Sequence, residues 1–164
     1  MGEVLRDWAV LAARLEARRT RGEHIVSTNG VFDILHVGHV RYLQAARALG
    51  DLLVVGVNSD ACARRLKGPT RPFTPEDERA ELLAALACVD YVTVFDEPTP
   101  EAFLAAMRPH LHAKGGDYDV ERMPETAVVR ANGGEVVALP FVAGRSTTDL
   151  VERIAQTLQA EGGR

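Results

Sequence analysis

Thr28-Asn29-Gly30-Val31-Phe32-Asp33-Ile34-Leu35-His36-Val37-Gly38-His39 is the stretch whose reading decides the fold. It follows the apolar run Ile25-Val26 and leads into the amphipathic segment Val40–Leu49, so it reads as strand, turn and helix. The turn carries a glycine, an aspartate, and two histidines around a second glycine. A helix that starts at His36 places His39 one turn on, on the same face. Gly38 removes the side chain between them, and a helix N-terminus offers unpaired amides and the positive end of the dipole. Two imidazoles in that setting suit phosphate oxygens. The same spacing also fits a metal-binding histidine pair, although no nearby cysteine or acidic cluster supplies obvious further ligands. Plain helix capping is a third reading. Gly30 lets the strand turn sharply, and Asp33 suits a cation, a hydroxyl or a turn cap.

Outward from this stretch, strands and helices alternate. Leu52–Val57 is a continuous apolar run of the kind found in central parallel strands covered on both faces. Val89–Phe95, Leu111–Lys114 and Glu135–Phe141 read as further strands. Thr74-Pro75-Glu76-Asp77 and Thr99-Pro100-Glu101 read as helix starts with a capping hydroxyl and proline at the first helical position. The first of these helices runs on through Leu82, Leu83 and Leu86. A helix is expected between Pro124 and Asn132, ended by Gly133-Gly134. Ser146-Thr147-Thr148-Asp149 opens the last helix, with Leu150, Ile154 and Leu158 on its inner face. At the N-terminus, Val4, Leu5, Trp8, Leu11, Ala12 and Leu15 recur at helical spacing. The expected layout is an N-terminal helix over residues 1–22 packed on one domain over residues 23–164. That domain is α/β, Rossmann-like and doubly wound, with a parallel five-stranded sheet and helices on both faces.

The chain has 164 residues, 46% hydrophobic and 26% charged, with a formal net charge of −4. That is an ordinary composition for a globular protein. It gives no electrostatic footprint for nucleic acid or an anionic membrane surface. Arg14, Arg18, Arg19 and Arg21 crowd the end of the first helix, as dipole partners or as an anion patch. Cys62 and Cys88 have no metal or redox spacing and read as unpaired thiols, which fits a cytoplasmic protein. No leader-like apolar segment and no membrane-length apolar run is seen.

Ligands of open α/β sheets bind beyond the carboxyl ends of the strands. The unusual residues fall there: Asn29–His39, then Asn58-Ser59-Asp60, Lys114-Gly115-Gly116-Asp117-Tyr118 and Gly144–Thr148. Lys67 and Arg71 lie in a Gly/Pro-rich loop, either as cations that close over a triphosphate or as solvated charges. Lys114, beside two glycines and Asp117, reads as a site for a phosphorylated substrate or the nucleotide, or as a glycine turn. Ser146, Thr147 and Thr148 offer hydroxyls and amides to phosphate, although Ser146 and Asp149 also form a capping box.

Together, Gly30–His39, Asn58-Ser59-Asp60 and Gly144-Arg145-Ser146-Thr147-Thr148 resemble the cytidylyltransferase-like nucleotidyltransferases. The resemblance runs from about Ile25 to Ile154. Leu66–Pro72, Val89-Asp90-Tyr91-Val92 and Lys114–Tyr118 are similar to the branch that adenylates D-glycero-β-D-manno-heptose 1-phosphate. His110 and His112 stand where that branch shows an apolar strand, and Arg145 where an apolar or aromatic residue is expected.

The resemblance implies transfer of AMP from ATP to the sugar 1-phosphate with release of pyrophosphate. His36, His39 and Lys67 would be catalytic. Thr28, Asn29, Gly30, Phe32, Asp33, Gly38, Arg71, Ser146, Thr147 and Thr148 would bind the nucleotide. Asn58, Asp60, Lys114 and Asp117 would bind the substrate. Mg²⁺ would accompany ATP without direct protein ligands, and a homodimer is the expected assembly. Spacing does not separate adenine from cytosine. A cytidylyltransferase acting on glycerol 3-phosphate or another phosphoalcohol remains an alternative, as does a nucleotide-binding module without turnover.

Overall fold

A computed structural model describes residues 1–116, 119–140 and 147–162, with side chains through residue 160. In chain order the elements are β1 (Glu3–Val4), α1 (Trp8–Arg19), β2 (Ile25–Gly30), α2 (Val37–Arg47), β3 (Leu52–Asn58), α3 (Asp60–Lys67), α4 (Glu76–Ala84) and β4 (Tyr91–Phe95). There follow α5 (Glu101–Met107), β5 (Leu111–Gly115), a 3₁₀ turn (Val120–Arg122), α6 (Pro124–Ala131), β6 (Glu135–Leu139) and α7 (Thr147–Gly162). The strands form one sheet in the order β1-β4-β3-β2-β5-β6. Every pairing is parallel.

β3 is buried at all of its positions, as its unbroken apolar run requires of a strand covered on both faces. Alternate residues feed two cores. Val26, Leu53, Val55 and Val57 pack with Leu43 and Ala46 of α2 and Leu83 of α4. Ile25, Leu52 and Val54 pack with Leu11 and Leu15 of α1, Phe103 and Leu104 of α5, and Val129 of α6. Burying each such side chain contributes about 1.5–3 kcal/mol. Gly56 keeps the second core tight, because a Cβ there would lie 3.1 Å from the Phe103 ring.

The sheet has six strands, not five. Glu3 and Val4 pair with Tyr91 and Val92, so residues expected at the start of a helix form an edge strand. Asp7 then caps α1 by accepting from the amides of Ala9 and Val10. Each arginine of this region has a carboxylate partner: Arg14 with Glu3, Arg19 with Glu16, and Arg18 and Arg21 sharing Glu23. Arg19 also donates to the carbonyls of Met107 and Arg108 at the end of α5. The anion-patch reading of these residues is therefore replaced by local ion pairing.

Other departures have equally local causes. The N-caps of α4 and α5 are Pro75 and Pro100, one residue later than expected, and neither threonine caps. Thr99 instead bonds Glu101. Leu82 points outward while Leu83 lies in the core. On α7 the expected inner face is largely exposed, with Ile154 at 49% and Leu158 at 63%. Cys62 is buried and Cys88 half-buried, both as free thiols. Among the described residues no helix is long and apolar enough to cross a membrane.

Candidate active site

The topology singles out one place. From β2 the chain builds outward to β3 and β4 on one side, and later to β5 and β6 on the other. The carboxyl ends of β2 and β5 therefore flank the switch point, where open α/β sheets hold their ligands. α2 starts there. His36 is its N-cap, with extended φ of −139°, and Gly38 is buried in its first turn. The amides of His39 and Val40 bond the His36 carbonyl. The amides of Val37 and Gly38 precede these in the turn, among the donors that a helix start leaves open.

The two imidazoles stack at 3.8 Å between centroids with 21° between planes. The Phe32 ring meets His39 edge-on at 5.3 Å. Burial, and secondarily the neighbouring His36, lowers the His39 pKa to about 4. Nδ1 of His39 is buried without a hydrogen-bond partner among the described residues. The second imidazole of the pair is thus neutral and holds unused hydrogen-bonding capacity beside a helix N-terminus. Phe32 reaches this position through a left-handed backbone (φ 50°). A Cβ on Gly30 would come within 3.0 Å of the Phe32 ring. Gly30 therefore makes room for Phe32.

A cleft of about 320 Å³ opens at this point, lined by Val31, Phe32, Asp33 and His39 from the turn and α2, Lys67 from the last turn of α3 rather than the expected loop, Arg71 from the loop that follows, and Thr147 and Thr148 from the start of α7. Segments more than a hundred residues apart meet there, and the Thr147 hydroxyl reaches the Ile34 carbonyl at 3.5 Å. Asp33 has a sharper task than its several sequence readings. Its carboxylate accepts from Arg71 Nη1 at 2.7 Å, from the Phe73 amide at 2.6 Å and from the Thr74 amide at 3.1 Å. It ties the 71–74 loop across the cleft mouth. The Arg71 guanidinium also lies 4.2 Å over the Phe73 ring. Lys67 has no carboxylate partner among the described residues, so its charge is available to an anion.

Other expected site residues serve the framework. Thr28 is fully buried, and its hydroxyl meets Tyr42 Oη at 2.6 Å. Tyr42 donates its single proton to the Ala113 carbonyl at 2.8 Å, so Thr28 is the donor in the first bond. Burial pushes the Tyr42 phenol up to about 12, with the Thr28 bond pulling the other way. Asn58 is buried against Cys62. Asp60 accepts from Arg79 Nη2 at 2.7 Å, and its amide donates to Glu76. None of Thr28, Asn58 and Asp60 lines the cleft. Asn29 and Lys114 meet each other at 3.4 Å on the α6 side of the sheet. Asp117 and Ser146, together with Tyr118, Gly144 and Arg145, lie outside the described residues.

Two supporting residues escaped the sequence reading. Arg79 has a fully buried side chain that donates to the carbonyls of Thr74, Val31 and Asn58 as well as to Asp60. It joins the β2 turn, the end of β3, the start of α3 and the loop before α4. Glu125, buried in the first turn of α6, accepts from Lys114 Nζ at 2.7 Å. In the sequence each looks like one charge among the alternating charges of a helix. His110, just before β5, and His112 within it are structural. His110 Nδ1 accepts from the Ile25 amide, and His112 Nδ1 meets Ser27 Oγ at 2.8 Å inside the sheet.

A parallel sheet whose switch point carries a helix N-terminus, a neutral histidine and Lys67 at the end of α3 is an α/β protein built to hold an anionic ligand. Comparison with known proteins narrows this class. A profile described as cytidylyltransferase-like matches residues 27–153. The chain is 55% identical over 147 residues to the bifunctional protein HldE of Pelobacter propionicus, covering 90% of this chain and 30% of that one. It is 52% identical over 154 residues to the bifunctional protein HldE of Cronobacter sakazakii, covering 94% of this chain and 31% of that one. A solved lipopolysaccharide core biosynthesis protein from Thermoplasma volcanium superposes with a TM-score of 0.61 at 30% identity, covering 74% of this chain and 98% of that one. The chain belongs to the cytidylyltransferase-like family. It spans about 30% of the length of the curated relatives it matches.

Proposed function

We propose that the chain transfers AMP from ATP to D-glycero-β-D-manno-heptose 1-phosphate, releasing pyrophosphate and forming ADP-heptose. The observation that carries this reading is the stacked His36–His39 pair at the start of α2, in a cleft shared with Lys67, Thr147 and Thr148. The similarity to HldE proteins and to a lipopolysaccharide core biosynthesis protein supports the sugar side of the proposal.

In this mechanism an oxygen of the sugar 1-phosphate attacks the α-phosphorus of ATP. A new P–O bond forms, the bond from α-phosphorus to the bridging oxygen breaks, and pyrophosphate leaves with the electron pair. No protein nucleophile is needed, so the chain supplies positioning and charge. His36 and His39 hydrogen-bond the α-phosphate and leaving oxygens. A neutral His39 enters as a donor, and a phosphate beside it favours its protonated form. Lys67 neutralises charge on the departing pyrophosphate, and Arg71, held by Asp33, borders the same space. Thr147 and Thr148 hold phosphate oxygens at the start of α7. Among the described residues no group of three or more His, Cys, Asp or Glu forms a metal cage. Mg²⁺ accompanying the nucleotide would offset the charge of its phosphates.

The test is pyrophosphate release from ATP or CTP, with and without heptose 1-phosphate. Release that needs both ATP and the heptose phosphate is the expected result. Preference for CTP with glycerol 3-phosphate replaces the proposed substrates with those of a cytidylyltransferase, and binding without turnover on any acceptor makes the chain a nucleotide-binding module.

A further inference from the structure

Lys114 stands apart from the phosphate cleft. It lies on the α6 side of β5, where its ammonium donates to Glu125 Oε1 at 2.7 Å and to Asn29 Oδ1 at 3.4 Å. The Glu125 side chain is only 5% exposed, and that of Lys114 is 22% exposed. Burial alone would raise the Glu125 pKa, but the hydrogen bond from Lys114, its own amide and the nearby charges outweigh this and hold the carboxyl below its ordinary range. The pair is thus ionised and neutral in sum. His112, two residues before Lys114, is also neutral, its pKa lowered to about 3 chiefly by burial. Its Nε2 is buried without a hydrogen-bond partner among the described residues.

This corner differs from the cleft, where Lys67 has no carboxylate partner among the described residues. A phosphate brought to Lys114 would meet the buried Glu125 carboxylate as well, and that repulsion would offset most of the attraction. A hydroxyl has no such conflict, because it both accepts and donates. After two bonds the ammonium keeps one N–H, and Asn29 and Glu125 add amide and carboxylate groups beside it.

We infer that Lys114, Asn29 and Glu125 form a subsite for the neutral hydroxyls of a ligand, with Glu125 as the positioning residue that aims Lys114 and cancels its charge. The hydroxyls belong either to the ribose of the nucleotide or to the polyol of the sugar phosphate. This rests on the proposed function for the identity of the ligands.

Calorimetric binding distinguishes the possibilities. The probes are ATP, its 2′-deoxy and 3′-deoxy analogues, heptose 1-phosphate and inorganic tripolyphosphate, each with the wild type, Glu125→Gln, Glu125→Asp and Asn29→Ala. Glu125→Gln should weaken one hydroxyl-bearing ligand at least tenfold and leave tripolyphosphate within twofold or tighter, with partial recovery in Glu125→Asp. If the ribose is the ligand, ATP weakens and one deoxy analogue binds wild type and variant alike. If the sugar is the ligand, heptose 1-phosphate weakens and ATP does not. Should Glu125→Gln not fold, Asn29→Ala should show the same selectivity with the ion pair intact. Unchanged affinity for both hydroxyl ligands, or an equal loss for tripolyphosphate, overturns the inference. Wild type that binds both ligands without turnover overturns only the proposed reaction, and wild type that binds neither overturns both.

Discussion

Asp33 and Arg71, separated by 38 positions in the chain, form an ion pair of 2.7 Å in which the carboxylate is almost fully buried. The same carboxylate accepts from the amides of Phe73 and Thr74. One side chain of the β2 turn thus fixes the loop that brings Arg71 to the cleft. Asp33→Ala should cost about 1–3 kcal/mol for the unsatisfied groups it leaves. It should also raise KM for the nucleotide severalfold and open the chain to proteolysis between Lys67 and Phe73. Denaturant titration, kinetics and limited digestion test these together. A variant with unchanged KM would separate the loop from nucleotide binding.

His39 is a different kind of site residue, because its buried Nδ1 has no hydrogen-bond partner among the described residues. His39→Ala should lower turnover more than tenfold with little loss of stability. In the free protein its imidazole should titrate near 4, and added tripolyphosphate should move it upward, since a neighbouring anion favours the charged form. Both shifts are readable by NMR of the histidine ring protons. Titration near 6.5 in the free protein, with no response to the anion, would remove His39 from the phosphate site.

The turn from Thr28 to His39 was legible because its information is local. A strand, a special turn and a helix start leave a readable pattern within twelve residues, and α2 begins where His36 indicates. The alternation of strands and helices gave the parallel sheet for the same reason. β1 was not legible, since two residues carry no period and Val4 also fits the helical spacing that follows. The exposed Ile154 and Leu158 show the converse: a helical apolar stripe states which residues share a face, but not what covers it. Arg79 and Glu125 were hidden because sequence shows a charge and not its burial. Asp60, read as a substrate ligand, is committed to that unseen arginine.

Arg79 is consequently the most sensitive framework charge. Its removal strands the Asp60 carboxylate and three backbone carbonyls around a buried cavity. Arg79→Ala should destabilise the fold by about 3–5 kcal/mol, the range for breaking a buried pair. Arg130→Ala, which removes an exposed pair with Glu121, should leave stability almost unchanged. Urea unfolding of the two variants measures the contrast. Equal small losses would mean that water replaces Arg79 without strain.

Stability should also fall as the solution is made mildly acidic, and the histidines set the window. The pKa values of His39 and His112 are lowered to about 4 and about 3, and that of His110 is lowered as well, by burial first in each case. Above the unfolded value of 6.5 both states are neutral at these positions and their contribution to stability is complete. Below it the unfolded chain takes up protons that the folded chain refuses, so stability is lost as pH falls toward the folded values. For the fully buried His112 the slope is about 1.4 kcal/mol per pH unit once the unfolded imidazole is charged. Glu125, whose folded pKa is lowered, adds a loss in the same direction only below its ordinary value of 4.5. Between pH 6.5 and 4.5 these histidines should therefore dominate. Thermal melts across that range should decline for the wild type and decline less steeply for His112→Gln, which keeps a polar partner for Ser27 but cannot titrate. Equal slopes would show that His112 takes up its proton without unfolding the sheet around it.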